Sequence, residues 1–242
     1  MHCGIAIPLP TTRFKLYNAL LESTLKILIT GFEPFGGEVE NPSWEVAKLL
    51  HGSRVSECDL VCVQLPCVFS KSIEALEQAL KHHQPQIVLA LGQADGRSDL
   101  SIERVAINVC DARISDNEGE QPVDMPVIAG GPAAYFSTLP IKKMVATLKS
   151  HDYPASVSQT AGTFVCNQVF YALQHALKDQ NVASGFIHVP LLPSQAAKRS
   201  GATLSSMSAS TLRDALLCVI PILAKHAQLG ESDLKIAMGA TH

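Results

Sequence analysis

The sequence predicts an α/β protein: an open, twisted, mostly parallel sheet with helices on both faces, three layers in all. Three observations carry this. Apolar runs of strand length alternate with helical patterns along the chain. Several of these runs stop at Gly or Pro, where a chain leaving a strand can turn. No repeat, low-complexity tract or linker divides the sequence. We therefore expect one domain over residues 25–242, preceded by an N-terminal extension over residues 1–24.

The elements follow in order. Residues 25–30, LKILIT, read as a buried strand stopped by Gly31. NPSWEVAKLL (41–50) starts a helix, with Pro42 and Ser43 at its entry and Trp44, Ala47 and Leu50 on one face. DLVCVQLP (59–66) is a second strand. SKSIEALEQALKHH (70–83) is an amphipathic helix with Ile73, Leu76 and Leu80 on one side, and QIVLALG (86–92) is a third strand. SIERVAINVCDARI (101–114) has strand-like stretches before the turn-rich SDNEGEQPVD, which suggests an antiparallel excursion. Helix, strand and helix follow over 140–150, 154–160 and 162–179. A strand over 184–193 and a helix over 208–228, kinked at Pro221, close the fold. In open α/β sheets sites form beyond the carboxyl ends of strands, so the loops after Thr30, Gly92, Thr160 and Ile187 are the informative ones.

The bulk properties exclude several classes. A net charge of −3 without a block of like charge argues against nucleic acid or a membrane surface as partner. No apolar run approaches the roughly 20 residues of a membrane helix. The apolar stretch at residues 4–9 has no Lys or Arg before it and is broken by Pro8 and Pro10, a poor signal peptide. We read residues 1–24 as poorly ordered or as an upstream start. Seven irregularly spaced cysteines argue for a reducing compartment rather than a disulfide framework. Cys58, Cys62 and Cys67 are close enough for zinc to be weighed, but they form no CxxC pair and read better as buried thiols.

Three residues stand out as chemical candidates. Cys166 opens a long helix after a Gly162 turn, where free N–H groups and the helix dipole favour a thiolate and can hold an oxyanion. The alternative is a buried cysteine in a core helix. His188 sits in the apolar FIHVP, where it is either a hydrogen-bonded core residue or a base for Cys166. Glu103, flanked by Ile102 and Val105, needs a partner if buried. That partner is Arg104 or Arg113 in a salt bridge, or an imidazole in a triad. Two loops suggest a ligand slot. GFEPFGG exposes Phe32 and Phe35 unless something covers them, and GQADGR (92–97) either lets a ligand approach its glycines and Gln93 or is a plain turn with Asp95 and Arg97 solvated. Neither loop has phosphate-binding spacing.

Taken together, LITGFEPFGGEVENPSWEV, GQADGRSDLSIERVAINVCDARISDNEG, SQTAGTFVCNQVFY and GFIHVPLLPSQ resemble the pyrrolidone-carboxylate peptidases, or pyroglutamyl peptidases I, from about Leu25 to the last helix. The resemblance implies a phosphorylase/hydrolase-like three-layer fold and a cytoplasmic thiol peptidase, suspected to be a homotetramer. Its implied activity is removal of N-terminal pyroglutamate from peptides, with no metal or organic cofactor. It implies a Cys166–His188–Glu103 triad and an acyl-enzyme. It carries substrate contacts to Phe32, Phe35, Asn41, Gln93, Ile114 and Phe164. One departure is Asp95, where the family pattern has glycine; it adds a charge beside the pocket. A non-catalytic sensor and a nucleoside-phosphorylase-like transferase remain rival readings of the same scaffold.

Overall fold

The computed structural model describes residues 24–199 and 204–239. The expected extension therefore lies outside the described residues, apart from Thr24. Seven strands form one sheet in the order β2-β3-β1-β4-β9-β5-β8. They are β1 (Leu25–Phe32), β2 (Arg54–Val55), β3 (Cys58–Leu65), β4 (Ile87–Gln93), β5 (Leu100–Glu103), β8 (Ala155–Ser158) and β9 (Ala183–Val189). A small second sheet pairs β6 (Val105–Ile107) with β7 (Ala134–Phe136).

The central strands β3, β1, β4 and β9 run parallel, as the alternating order predicts. β2 is antiparallel to β3, and β5 is antiparallel to β9 while parallel to β8. The predicted antiparallel excursion is thus present, but it reverses β8 as well. The loop after Thr160 leaves the sheet in the direction opposite to β4 and β9, so the carboxyl-end rule does not place it.

Among the described residues six helices cover the sheet: α1 (Pro42–Leu50), α2 (Phe69–His83), α3 (Ile141–Ser150), α4 (Val165–Leu177), α5 (Pro193–Lys198) and α6 (Ala209–Leu229). On one face, α1, α3 and α6 bury Val46, Met144 and Leu216 against Ile29, Leu89 and Ile187. On the other, α2 and α4 bury Leu76 and Phe170 against Leu28, Val88 and Phe186. Strand side chains alternate between these cores because the strand repeat is two residues. Helix α6 runs on through Pro221 and ends at Gly230, whose φ of 64° suits the left-handed C-terminal turn. The sequence reading missed α5, β2 and β7, whose six, two and three residues are too short to show periodicity.

Candidate active site

The alternation that builds the cores also selects which polar side chains meet. In β9, Ile187 and Val189 face one core, so Phe186 and His188 face α4. In β4, Val88 and Ala90 face α4, which puts Gly92 on that face too. In β5, Leu100 and Ile102 take the opposite face, so Ser101 and Glu103 point towards α4. Gly92 lies opposite His188 in the β4–β9 ladder, and Ser101 lies opposite His188 in the β5–β9 ladder. Glu103 and His188 thereby become neighbours although 85 residues separate them in the chain.

The His188 imidazole donates through Nδ1 to Glu103 Oε1 at 2.7 Å. Both side chains are buried, Glu103 completely. A carboxylate partner at Nδ1 assigns the proton there and leaves Nε2 as the acceptor nitrogen. The second partner of Glu103 is Arg97, whose Nη1 reaches the same Oε1 at 2.8 Å. Arg97 Nη2 also donates to the Thr160 carbonyl at 3.0 Å. This corrects the sequence reading, which offered Arg104 or Arg113 to Glu103, and rules out the plain turn with a solvated Arg97. The imidazole partner is present, and a salt bridge forms beside it, made by Arg97 in place of Arg104 or Arg113.

Cys166 reaches the same face from α4. A Cβ added at Gly92 would sit 2.8 Å from Cys166 Sγ and 2.6 Å from Phe186 Cζ. Glycine at 92 therefore leaves the space that the sulfur and the ring occupy. The sulfur lies over β4, beside the strand that carries His188. The start of α4 has no side-chain cap, so its first N–H groups remain open around Cys166. Asn167 anchors this end of the helix. Its Oδ1 accepts from Ile107 N, and its Nδ2 donates to the carbonyls of Ile107 and Val109.

The electrostatics differ from the expectation of a ready thiolate. Burial pushes the Cys166 thiol up, and Cys67 and Glu103 add to this; Arg97 and the residue's own N–H pull the other way without prevailing. Burial also holds His188 below its ordinary 6.5, against the hydrogen bond and charge of Glu103. Both shifts favour the neutral forms, a thiol at Cys166 and an uncharged imidazole at His188. Burial also pushes the other core thiols up, Cys58 and Cys110 to about 11 and Cys62 and Cys67 to about 12, none of them as far as Cys166. Among the described residues no cluster of His, Cys, Asp or Glu is arranged to hold a metal ion.

A cavity of about 450 Å³ is lined by Phe35, Gln93, Ile114 and Phe164 together with Glu38, Asp95, Asp111, Arg113 and Arg199; Cys166, His188 and Glu103 are not part of its lining. Phe35 and Phe164 lie 6.1 Å apart, and Phe69 holds Phe164 edge-on at 5.2 Å. The two phenylalanines of the opening loop part company. Phe35 lines the cavity, whereas Phe32 is buried one layer down against Phe186. Asn41 also lies off the lining. It caps α1 by accepting from Ser43 N, and it donates to the Glu33 carbonyl. Asp95 pairs with Arg199, which bonds Glu38 at 3.2 Å, so the extra charge is countered at the rim.

Gln195 was missed by the sequence reading. It is fully buried on α5, and its Oε1 accepts from Leu192 N at 3.0 Å. That bond turns its Nε2 towards Gln93 Oε1 at 3.2 Å. A backbone N–H thus sets the orientation of both amides and leaves the Gln93 N–H₂ free to donate into the cavity. Its only signal in the sequence is the end of the GFIHVPLLPSQ motif.

Comparison with known proteins identifies a family. A family model described as pyroglutamyl peptidase matches residues 25–226. A pyrrolidone-carboxylate peptidase of Escherichia fergusonii is 56% identical over 217 residues, covering 89% of this chain and 99% of its own. One from Klebsiella pneumoniae is 53% identical with the same coverage. The crystal structure of pyroglutamyl peptidase I from Bacillus amyloliquefaciens superposes with a TM-score of 0.83 at 44% identity, over 88% of this chain and 99% of that one. The pyrrolidone carboxyl peptidase of Thermococcus litoralis gives a TM-score of 0.85 at 33% identity, over 88% and 100%.

Proposed function

This chain belongs to the pyroglutamyl peptidase family of cysteine peptidases, and from that premise we propose that it hydrolyses N-terminal pyroglutamate from peptides through an acyl-enzyme on Cys166. The observation that carries this reading is the buried 2.7 Å bond between His188 and Glu103, on the sheet face against which the Cys166 sulfur packs.

Pyroglutamate is a flat, uncharged lactam. Phe35 and Phe164 cover its ring, Ile114 closes the side, and Phe32 supports the slot from beneath. Burying such a ring contributes about 1–3 kcal/mol. The oriented Gln93 amide donates to the lactam carbonyl. Asn41 acts at one remove, by holding the loop that carries Phe35. A glutamine terminus would bring an ammonium between the Phe35 and Phe164 rings, where desolvation opposes it.

The thiol proton passes to His188 Nε2 as Cys166 Sγ bonds to the pyroglutamyl carbonyl carbon. N–H groups at the start of α4 receive the oxyanion. His188 then returns the proton to the departing amine as the C–N bond breaks, leaving a thioester. Water, deprotonated by the same imidazole, releases pyroglutamate and the thiol. Glu103 holds the imidazole in the useful tautomer throughout. No step calls on a metal or an organic cofactor.

The reading brings with it a cytoplasmic setting and a homotetramer. The six described cysteines, all free thiols, support the first. Exposed Val123, Met125 and Phe136 supply apolar surface for the second. Among the described residues no helix is long and apolar enough to cross a membrane.

The test is Cys166→Ser assayed on a pyroglutamyl amide with a chromogenic leaving amine. Turnover should vanish while thermal unfolding stays close to wild type. Retained turnover would remove Cys166 from the mechanism.

A further inference from the structure

The loop after β4 carries a group that the proposed triad does not include. Arg97 bonds Glu103 Oε1 at 2.8 Å and the Thr160 carbonyl at 3.0 Å. Thr160 lies in the loop that leads from β8 into α4 and Cys166. One guanidinium thus joins the strand that presents the carboxylate to the loop that presents the sulfur. Its planar fork suits two acceptors at once, which an ammonium cannot match. Glu103 is wholly buried, and its Oε2 has no hydrogen-bond partner among the described residues. Its charge is met by Arg97 and by His188 alone at Oε1.

We propose that Arg97 is a positioning residue of the hydrolytic site: it fixes the Glu103 carboxylate against His188 and balances its charge beside Cys166. This rests on the triad reading above. The charged and titratable groups facing the pair are Glu103 from β5, Arg97 from the loop after β4 and Cys67 from the end of β3. Arg97 lowers the proton affinity of both His188 and Cys166, opposite in sign to Glu103 at each of them. Without Arg97, the carboxylate would draw the proton onto His188 and resist a thiolate at Cys166. Whichever of the two sets the acid limb of kcat/KM, that limb moves to higher pH.

The experiment compares Arg97→Gln and Arg97→Lys with wild type. It follows kcat and KM on a pyroglutamyl amide across pH, together with the rate of Cys166 alkylation by iodoacetamide. Arg97→Gln should raise the acid limb of both profiles by about one pH unit. It should lower kcat about tenfold with little change in KM, since the oriented base acts in the transition state. Arg97→Lys keeps the charge and should restore the limb, while the lost fork leaves kcat below wild type. A wild-type limb and kcat in Arg97→Gln would overturn the proposal.

If Arg97→Gln fails to fold, the double variant R97Q/E103Q removes the buried carboxylate together with its partner. Its alkylation limb should lie above that of Glu103→Gln, where the guanidinium still repels the proton; an equal limb overturns the proposal. Alkylation reads the charge balance without turnover, so this outcome stands apart from the Cys166→Ser test of the triad itself.

Discussion

Glu103 accepts a 2.7 Å hydrogen bond from His188 in a place that water does not reach. Two neighbouring strands running in opposite directions make this contact. The pairing of Ser101 with His188 brings Glu103 along the same face. Antiparallel to β9, β5 runs on from Ser101 back towards Phe186, which shares a face with His188. The antiparallel strand is therefore part of the proposed chemistry and not an ornament of the fold.

The first prediction concerns pH. Burial lowers His188 from 6.5, and Glu103 opposes it. The base is competent only when unprotonated, so kcat/KM should rise with pH through a limb lying below 6.5. Glu103→Gln removes the opposing charge, so the limb should move lower still. It should also reduce kcat by about a hundredfold, because the imidazole loses its orienting acceptor. A limb that rises in Glu103→Gln would show that the carboxylate does not act on the titrating base.

A second prediction follows from Gly92. Alanine there would set its Cβ 2.8 Å from Cys166 Sγ and 2.6 Å from Phe186 Cζ. Neither atom has room to stay. We expect kcat to fall by about a hundredfold, given how steeply rate depends on the position of a reacting atom. Stability should drop by about 1–3 kcal/mol from overpacking. Calorimetry alongside steady-state kinetics separates the two effects; an unchanged kcat would mean that the sulfur is not held where the reaction needs it.

The third prediction separates shape from polarity in the slot. Phe164→Ala should raise KM about tenfold through lost apolar contact. Gln195→Leu should also raise KM, although Gln195 lies outside the cavity lining, because the Gln93 amide loses the partner that orients it. It should cost about 1–3 kcal/mol of stability as well, since the Leu192 N–H is left unpaired. If substrate binding survives Gln195→Leu, the amide of Gln93 does not depend on this chain of hydrogen bonds.

Much of this protein could be read before any coordinates. The βα order, the buried runs and the helix beginning near Cys166 all come from periodicity, which adjacent residues encode. The motif resemblance singled out Cys166, His188 and Glu103 in advance. The residues that support them were harder to see. Arg97 reads as an ordinary turn residue in GQADGR, and Gln195 as one polar residue after a strand. Phe32 and Phe35 look alike in the sequence, yet one is buried and the other lines the cavity.

What the sequence determined by itself was the two-residue and helical repeats, and so which side chains share a face. What only the tertiary structure decided was the reversed direction of β8, the double partnership of Glu103, and the burial that raises the Cys166 thiol. The reason is physical. Repeats are set by covalent neighbours a few residues apart. Ion pairing and desolvation are set by groups that meet through space, after the backbone has chosen which strands lie side by side.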